Sequence, residues 1–289
     1  AEMLDKHPPP AAMDAMLPTL NDLLTEVAEA TGEQLSHDDL RQQIVDLFDL
    51  HSFTKYVGRL SRRKMPACDM IRFEHVKAIA GAGYAQAVRD YVLLFALGDV
   101  PGEMRPYAYG GRLVAPSKPG NDGHRPLGAG TAWRRVAAGF LCRAHRRAFG
   151  DTLGPVQLGV GVSRGPSIFA LAVQLALQAH DGWVAVKIDF RNAFNMCSRT
   201  AFLKFTARHF PTLLLMLLAA YGAPPYITAL GPDGWVRWLS QRGCTQGCPL
   251  GPYCFAAALQ EALMATHESF SDILIVALHD DVQIAGPPT

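Results

Sequence analysis

Little in this 289-residue chain points to a membrane. The first ten residues, AEMLDKHPPP, carry acids and three prolines where a secretory leader needs a basic start and an apolar run. The longest apolar stretch, residues 213–220, falls far short of the ~20 residues that span a bilayer, so no membrane partner is expected. Cysteine is sparse: Cys68, Cys142, Cys197, Cys244, Cys248 and Cys254 lack the dense regular spacing of a secreted disulfide scaffold. Cys244 and Cys248 have no second Cys/His pair at zinc spacing. Free thiols in a reducing, intracellular compartment are the expectation, without a structural zinc. An excess of charge is missing too. Lys and Arg number 27 against 26 Asp and Glu, a net charge of +1, so any attraction for phosphate must be local.

What is present is apolar content, 49%, enough to build a substantial core in one large domain or two subdomains. Between residues 11 and 56, Met16, Leu20, Leu23, Leu24, Val27, Leu40, Ile44, Leu47 and Phe48 recur at helical spacing, interrupted by Thr31-Gly32 and by a cap at Ser36. Two helices are read there, and a further helical region over residues 73–97. From Gly110 the texture changes to short β-prone runs and Gly/Pro turns, a hairpin whose tip is Ser117 to Gly123. A basic helix over 132–149, an apolar strand at 156–160 and a helix over 166–179 follow. Residues 184–189 read as a buried strand ending in Asp189, and residues 227–238 as a hairpin turning at Gly231-Pro232-Asp233-Gly234. Gln246 to Pro252 opens a helix to about residue 265, and residues 273–279 form the next buried strand.

The chemistry concentrates in acids at strand ends. In Ile275 to Ala285 the pair Asp280-Asp281 sits between apolar runs, which predicts strand, turn, strand with the carboxylates at the tip. Adjacent carboxylates repel and are costly beside a sheet unless a cation neutralises them, and magnesium suits an all-oxygen site. Asp189 ends a separate strand, so three acids could gather around two metal ions; taken singly, each also fits an ordinary turn or a helix cap. Between Asp122 and Asp151 no acid occurs, while Arg125, Arg134, Arg135, Arg143, Arg146 and Arg147 do. That run could meet nucleic-acid phosphates or form a solvated helix face.

These segments resemble, in order, the motifs of reverse transcriptases of the non-LTR retrotransposon kind. Asp189 to Asn195 resembles the first palm motif, Gln246-Gly247-Cys248-Pro249-Leu250 the second, and His279-Asp280-Asp281 the third. Upstream, 113–120 and 124–127 resemble finger motifs shared with group II intron proteins, 61–77 a degenerate preceding motif, and 157–162 the glycine-rich strand between fingers and palm. The resemblance covers about 62–286. It implies an α+β palm-type polymerase fold, an antiparallel sheet backed by helices with helical and hairpin fingers. Residues 1–61 would be an N-terminal helical extension, 62–180 fingers and 181–289 palm. The extension could contact template RNA or brace the fingers.

The implied activity is RNA-directed DNA polymerisation, extending a DNA primer or target DNA on template RNA with dNTPs and two Mg2+ ions, for which Mn2+ could substitute. Asp189, Asp280 and Asp281 would bind the metals beside the backbone of Phe190, with Arg191 adjacent. Phe194 would exclude a ribose 2′-hydroxyl, or be a plain core phenylalanine. Gln246 would lie beneath the incoming nucleotide, and Arg125 and Lys118 would hold its triphosphate; Lys118 could equally be a solvated loop lysine. Family analogy implies action in the nucleus. Departures are Leu278, where the family places an aromatic, Thr245, where it often has a basic residue, and the end of the chain at Thr289. A thumb and primer grip fall outside, so weak or absent processive synthesis is expected. An RNA-dependent RNA polymerase and an inactive reverse-transcriptase-like scaffold are the competing readings.

Overall fold

The computed structural model describes residue 9 and residues 16–117, 120, 124–231 and 233–288. Three helices, not two, open the described chain: α1 (Leu20–Thr31), α2 (His37–Leu47) and α3 (Leu50–Gly58). Thr19 and Ser36 close capping boxes with Asp22 and Asp39, and Asp49 caps α3 through the Ser52 amide. That last cap divides the second stretch, because an aspartate that satisfies free amide donors starts a helix anew. Next come α4 (Phe73–Ile79) and α5 (Ala85–Leu97), joined by a wider turn in which Gly83 has φ +97°.

Strands β1 (Gly111–Val114) and β2 (Leu127–Gly130) form the expected hairpin. The basic segment is two helices, α6 (Ala132–Ala144) and α7 (Arg146–Leu153), that meet at His145. In place of a strand at 156–160 there is a single bridge, Gln157 to Ala277, and then α8 (Gly165–Ala179). Beyond β3 (Val184–Asp189) lie α9 (Arg199–His209), α10 (Leu214–Tyr221), β4 (Tyr226–Gly231), β5 (Gly234–Leu239), α11 (Gly251–Ser269), β6 (Leu274–Leu278) and β7 (Asp281–Gly286).

The result is an α+β chain with one mixed and one antiparallel sheet. The first runs β2-β1-β4-β5, with β1 and β4 parallel; the second runs β3-β7-β6. One apolar core joins α1 (Leu23, Val27) to α9, α10 and α11 (Phe202, Leu214, Phe255), so the first helices pack into the same interior as the later ones. The antiparallel sheet is a layer between two helices. Phe169 and Val173 of α8 meet Val276 and Ala285 on one face, and Leu263 of α11 meets Ile275, Ala277 and Val282 on the other.

The strand ending in Asp189 forms as read, but it is not buried. Val184, Val186 and Ile188 are 47%, 56% and 36% exposed, because β3 is the outer strand of its sheet and its apolar run faces solvent on that edge. Apolar residues in a short run are common to central and edge strands, and nothing in the run itself separates the two.

Candidate active site

Strand register sets the acids. In the β3–β7 pair Asp189 lies directly opposite Asp281. Side chains so placed have Cβ atoms about 4.5–5.5 Å apart. Leu278 pairs with Asp281 across the β6–β7 hairpin, which leaves His279-Asp280 as a two-residue turn. His279 has φ +57°, the sign such turns require at their first central position. Three carboxylates therefore collect at one end of one sheet, two of them half-buried and Asp189 exposed.

A cation already stands among them. Lys187 is two residues before Asp189 and so on the same face, and its Nζ lies 2.7 Å from Asp281 Oδ1. The bond that Lys187 donates to Asp281 raises the lysine pKa first, and the charges of Asp281, Asp189 and Asp280 add to it. Among the described residues no three His, Cys, Asp or Glu side chains are placed to hold a metal ion as they stand. The Asp281 carboxylate is engaged by Lys187.

Gln157, fully buried, braces the turn. Its Nε2 donates to the His279 carbonyl at 3.3 Å, and its Oε1 accepts from the His279 amide at 2.8 Å and the Gly159 amide at 3.0 Å. A Cβ on Gly159 would come within 2.7 Å of His279 N and Nδ1, so this backbone approach demands glycine. Burial lowers the His279 pKa against the raising effect of the neighbouring aspartates.

The Gln246 turn is held from two sides. On one, the Gly128 amide of β2 donates to the Gln246 carbonyl at 2.7 Å. Gly247 has φ +110°, and a side chain there would press to 2.8 Å on the Gly128 carbonyl. This bond ties the hairpin carrying Arg125, which is exposed, to the turn carrying Gln246, which is half-buried. On the other side, Tyr221 Oη accepts from the Thr245 amide and from Arg134 Nη2, both at 3.2 Å. Arg199, 1% exposed, donates to the carbonyls of Gly243, Tyr221 and Ser240 at 2.9, 3.0 and 2.8 Å.

Phe194 is half-buried at the same junction. Its carbonyl accepts from the Cys244 amide at 2.8 Å, and its ring stacks on Phe255 of α11 at a centroid separation of 5.4 Å. Phe190, also half-buried, meets Phe255 edge-on at 6.0 Å, and Arg191 is exposed. Lys118 lies outside the described residues.

The arginine run divides by environment. Arg134 is 1% exposed and donates to the Tyr109 carbonyl and the Tyr221 hydroxyl, so it is an interior residue and offers no phosphate contact, contrary to its reading as a surface cation. Arg135 is half-buried, with its guanidinium 4.4 Å from the Phe73 ring centroid and a bond to the Met65 carbonyl. Arg143, Arg146 and Arg147 are exposed. The first two line a cavity of about 730 Å³ that also borders Gly159, Pro252, Tyr253 and His279, so the basic helices open toward the His279-Asp280 turn. Lys187, Gln157, Tyr221 and Arg199 were not singled out in the sequence. For Lys187 the two-residue spacing to Asp189 was the available signal; for the others the contacts are long-range and leave none.

No protein-family model matches the chain. It is 29% identical over 175 residues to the retrotransposable element SLACS 132 kDa protein of Trypanosoma brucei gambiense. The match covers 58% of this chain and 14% of that protein, so the chain spans a small part of its relative's length. The similarity is a distant one to a retrotransposable-element protein. No helix among the described residues is long and apolar enough to cross a membrane.

Proposed function

We propose that the chain carries the fingers and part of the palm of an RNA-directed DNA polymerase of retrotransposon origin. The observation that carries this reading is the register pair Asp189–Asp281 with Asp280 in the adjoining turn. The order of the sequence motifs and the distant similarity to a retrotransposable-element protein support it.

The donor set is all oxygen and lies at the rim of a sheet, which suits magnesium. Asp189 and Asp280 would hold it beside the Phe190 backbone, and Asp281 would join them once its carboxylate turned from Lys187. Two such ions would supply charge stabilisation for in-line attack of a primer 3′-hydroxyl on an incoming dNTP. Lys187 balances part of the negative charge of the three acids. The Phe194 ring, fixed on Phe255, occupies the space of a ribose 2′-hydroxyl. Gln246, whose backbone carbonyl is held by β2 and whose neighbour Thr245 is held by Tyr221, would bring its neutral side-chain amide to the nucleotide, with Phe190 and Arg191 alongside. Arg125, on the hairpin bonded to that turn, would steady the triphosphate, and Lys118 is proposed for the same role. Arg143, Arg146 and Arg147 would meet backbone phosphates, with Arg135 at their margin.

The Lys187–Asp281 pair also favours a second reading, a non-catalytic scaffold whose acids are neutralised from within. Primer extension separates the two. An annealed DNA primer on an RNA template, with Mg2+ or Mn2+, should grow with dNTPs and not with rNTPs. No extension with either metal, by this chain and by a longer one continuing past residue 289, favours the scaffold.

A further inference from the structure

The mixed sheet presents a second surface that the proposed chemistry does not use. Its register pairs Arg112 with Thr228 and Thr228 with Arg237, so both arginines share one face; Leu230 paired with Trp235 falls on that face as well. The opposite face turns inward through Leu113 and Ile227, 6% and 1% exposed. On the outer face Trp235 is 57% exposed and Leu230 62%, and Tyr107, packed alongside Tyr226, is 50% exposed.

Cations and rings alternate on this face. The Arg112 guanidinium lies 5.5 Å from the Trp235 centroid, and that of Arg237 lies 4.4 Å from Tyr226 and 5.5 Å from Tyr107. Arg237 Nη1 also donates to Tyr107 Oη at 3.1 Å, which fixes the guanidinium beside the two rings. None of the four strands contains an aspartate or glutamate; the acids nearest in sequence are Asp122, in the β1–β2 connection, and Asp233, in the β4–β5 turn. Exposed rings of this size favour a partner that covers them. Two arginines with no strand carboxylate favour a polyanion, and the ligand that joins flat apolar faces to regular negative charge is single-stranded nucleic acid.

We propose that this face, centred on Trp235, Arg112 and Arg237, is a stacking platform for single-stranded nucleic acid. Bases lie on the Trp235 ring and on the ring-backed guanidinium of Arg237, while the arginine charges meet phosphates. Through the Gly128–Gln246 bond the sheet is joined to the turn that carries Gln246, so a strand on this face is anchored to that turn. The inference does not rest on the chain being catalytic.

Binding is read by fluorescence anisotropy in EDTA, without nucleotides, using labelled oligouridylate, oligothymidylate and an RNA duplex of equal length. Both single strands should bind more tightly than the duplex, and the tighter of the two names the sugar the surface prefers. Trp235→Ala should weaken single-strand binding by roughly tenfold. Trp235→Phe should keep most of it, and the double variant Arg112→Gln/Arg237→Gln should flatten its salt dependence. Parental affinity in both Trp235→Ala and the double variant would overturn the proposal. So would a duplex preference, or self-association that Trp235→Ala abolishes at unchanged oligonucleotide affinity.

Discussion

Asp189 and Asp281 face one another across an antiparallel strand pair, with Lys187 bonded to the second of them at 2.7 Å. Like charges directly opposite on a sheet repel, so this arrangement is costly by itself. The chain offsets it with a lysine on the outer strand, and by our reading with metal when the site is charged. The same edge position that leaves β3 exposed leaves this cluster open to solvent.

Removing Lys187 should therefore make the protein depend more on divalent cations. In EDTA, Lys187→Ala should melt at a lower temperature than the parent, and added MgCl2 should raise its Tm by more than it raises the parent's. Equal magnesium shifts in the two proteins would show that the lysine does not balance the acid cluster. Differential scanning fluorimetry suffices for the comparison.

Gln157 should be costly to replace. Gln157→Leu leaves the His279 amide, the His279 carbonyl and the Gly159 amide short of their partners in a buried place. A loss of about 2–3 kcal/mol is expected in urea unfolding, since each unpaired buried group costs ~1–3 kcal/mol. A change under 0.5 kcal/mol, on the order of a surface substitution, would mean that the turn holds itself.

Stability should fall as the solution is acidified through the histidine range. His145 donates from Nδ1 to the Leu141 carbonyl at 2.9 Å and its Nε2 lies 2.8 Å from the Thr212 hydroxyl, and burial lowers its pKa from 6.5. Below that value the unfolded chain takes up a proton that the native imidazole refuses. Stability is thus undiminished above about pH 6.5 and is lost between that pH and the lower native value. His209, also lowered chiefly by burial, acts in the same direction. Urea midpoints at pH 7.5 and pH 5.5 should differ less in His145→Phe than in the parent; identical differences would remove His145 from the account.

Phe194 should govern the sugar. Phe194→Val should let rNTPs compete with dNTPs in primer extension while leaving dNTP incorporation measurable. Unchanged discrimination would return Phe194 to the role of a core ring packed on Phe255.

The sequence made the strand-borne acids readable because a carboxylate closing an apolar run is conspicuous, and strand, turn, strand follows from the apolar runs on either side of Asp280-Asp281, although the turn itself is His279-Asp280 and Asp281 opens β7. It also showed the hairpins and most helices, whose caps at Ser36 and whose Gly/Pro turns are local signals. Burial was less accessible. The run ending in Asp189 looks like an interior strand until its place in the sheet is known, and Arg134 looks like its neighbours until Tyr109 and Tyr221 are seen around it. Gln157 and Lys187 act through partners 122 and 94 residues away, counted from Gln157 to His279 and Lys187 to Asp281. Contacts at that range leave no periodicity to read.

The central claim is that Asp189, Asp280 and Asp281 form one catalytic cluster. Its most direct test compares the parent with Asp280→Asn in magnesium-dependent extension of a DNA primer on RNA, in this chain and in a longer protein continuing past residue 289. The account predicts that Asp280→Asn lowers the rate by roughly a hundredfold or more, on the scale of losing one charge-stabilising group, while the Tm holds or rises as repulsion is relieved. Equal rates in the parent and Asp280→Asn would contradict it.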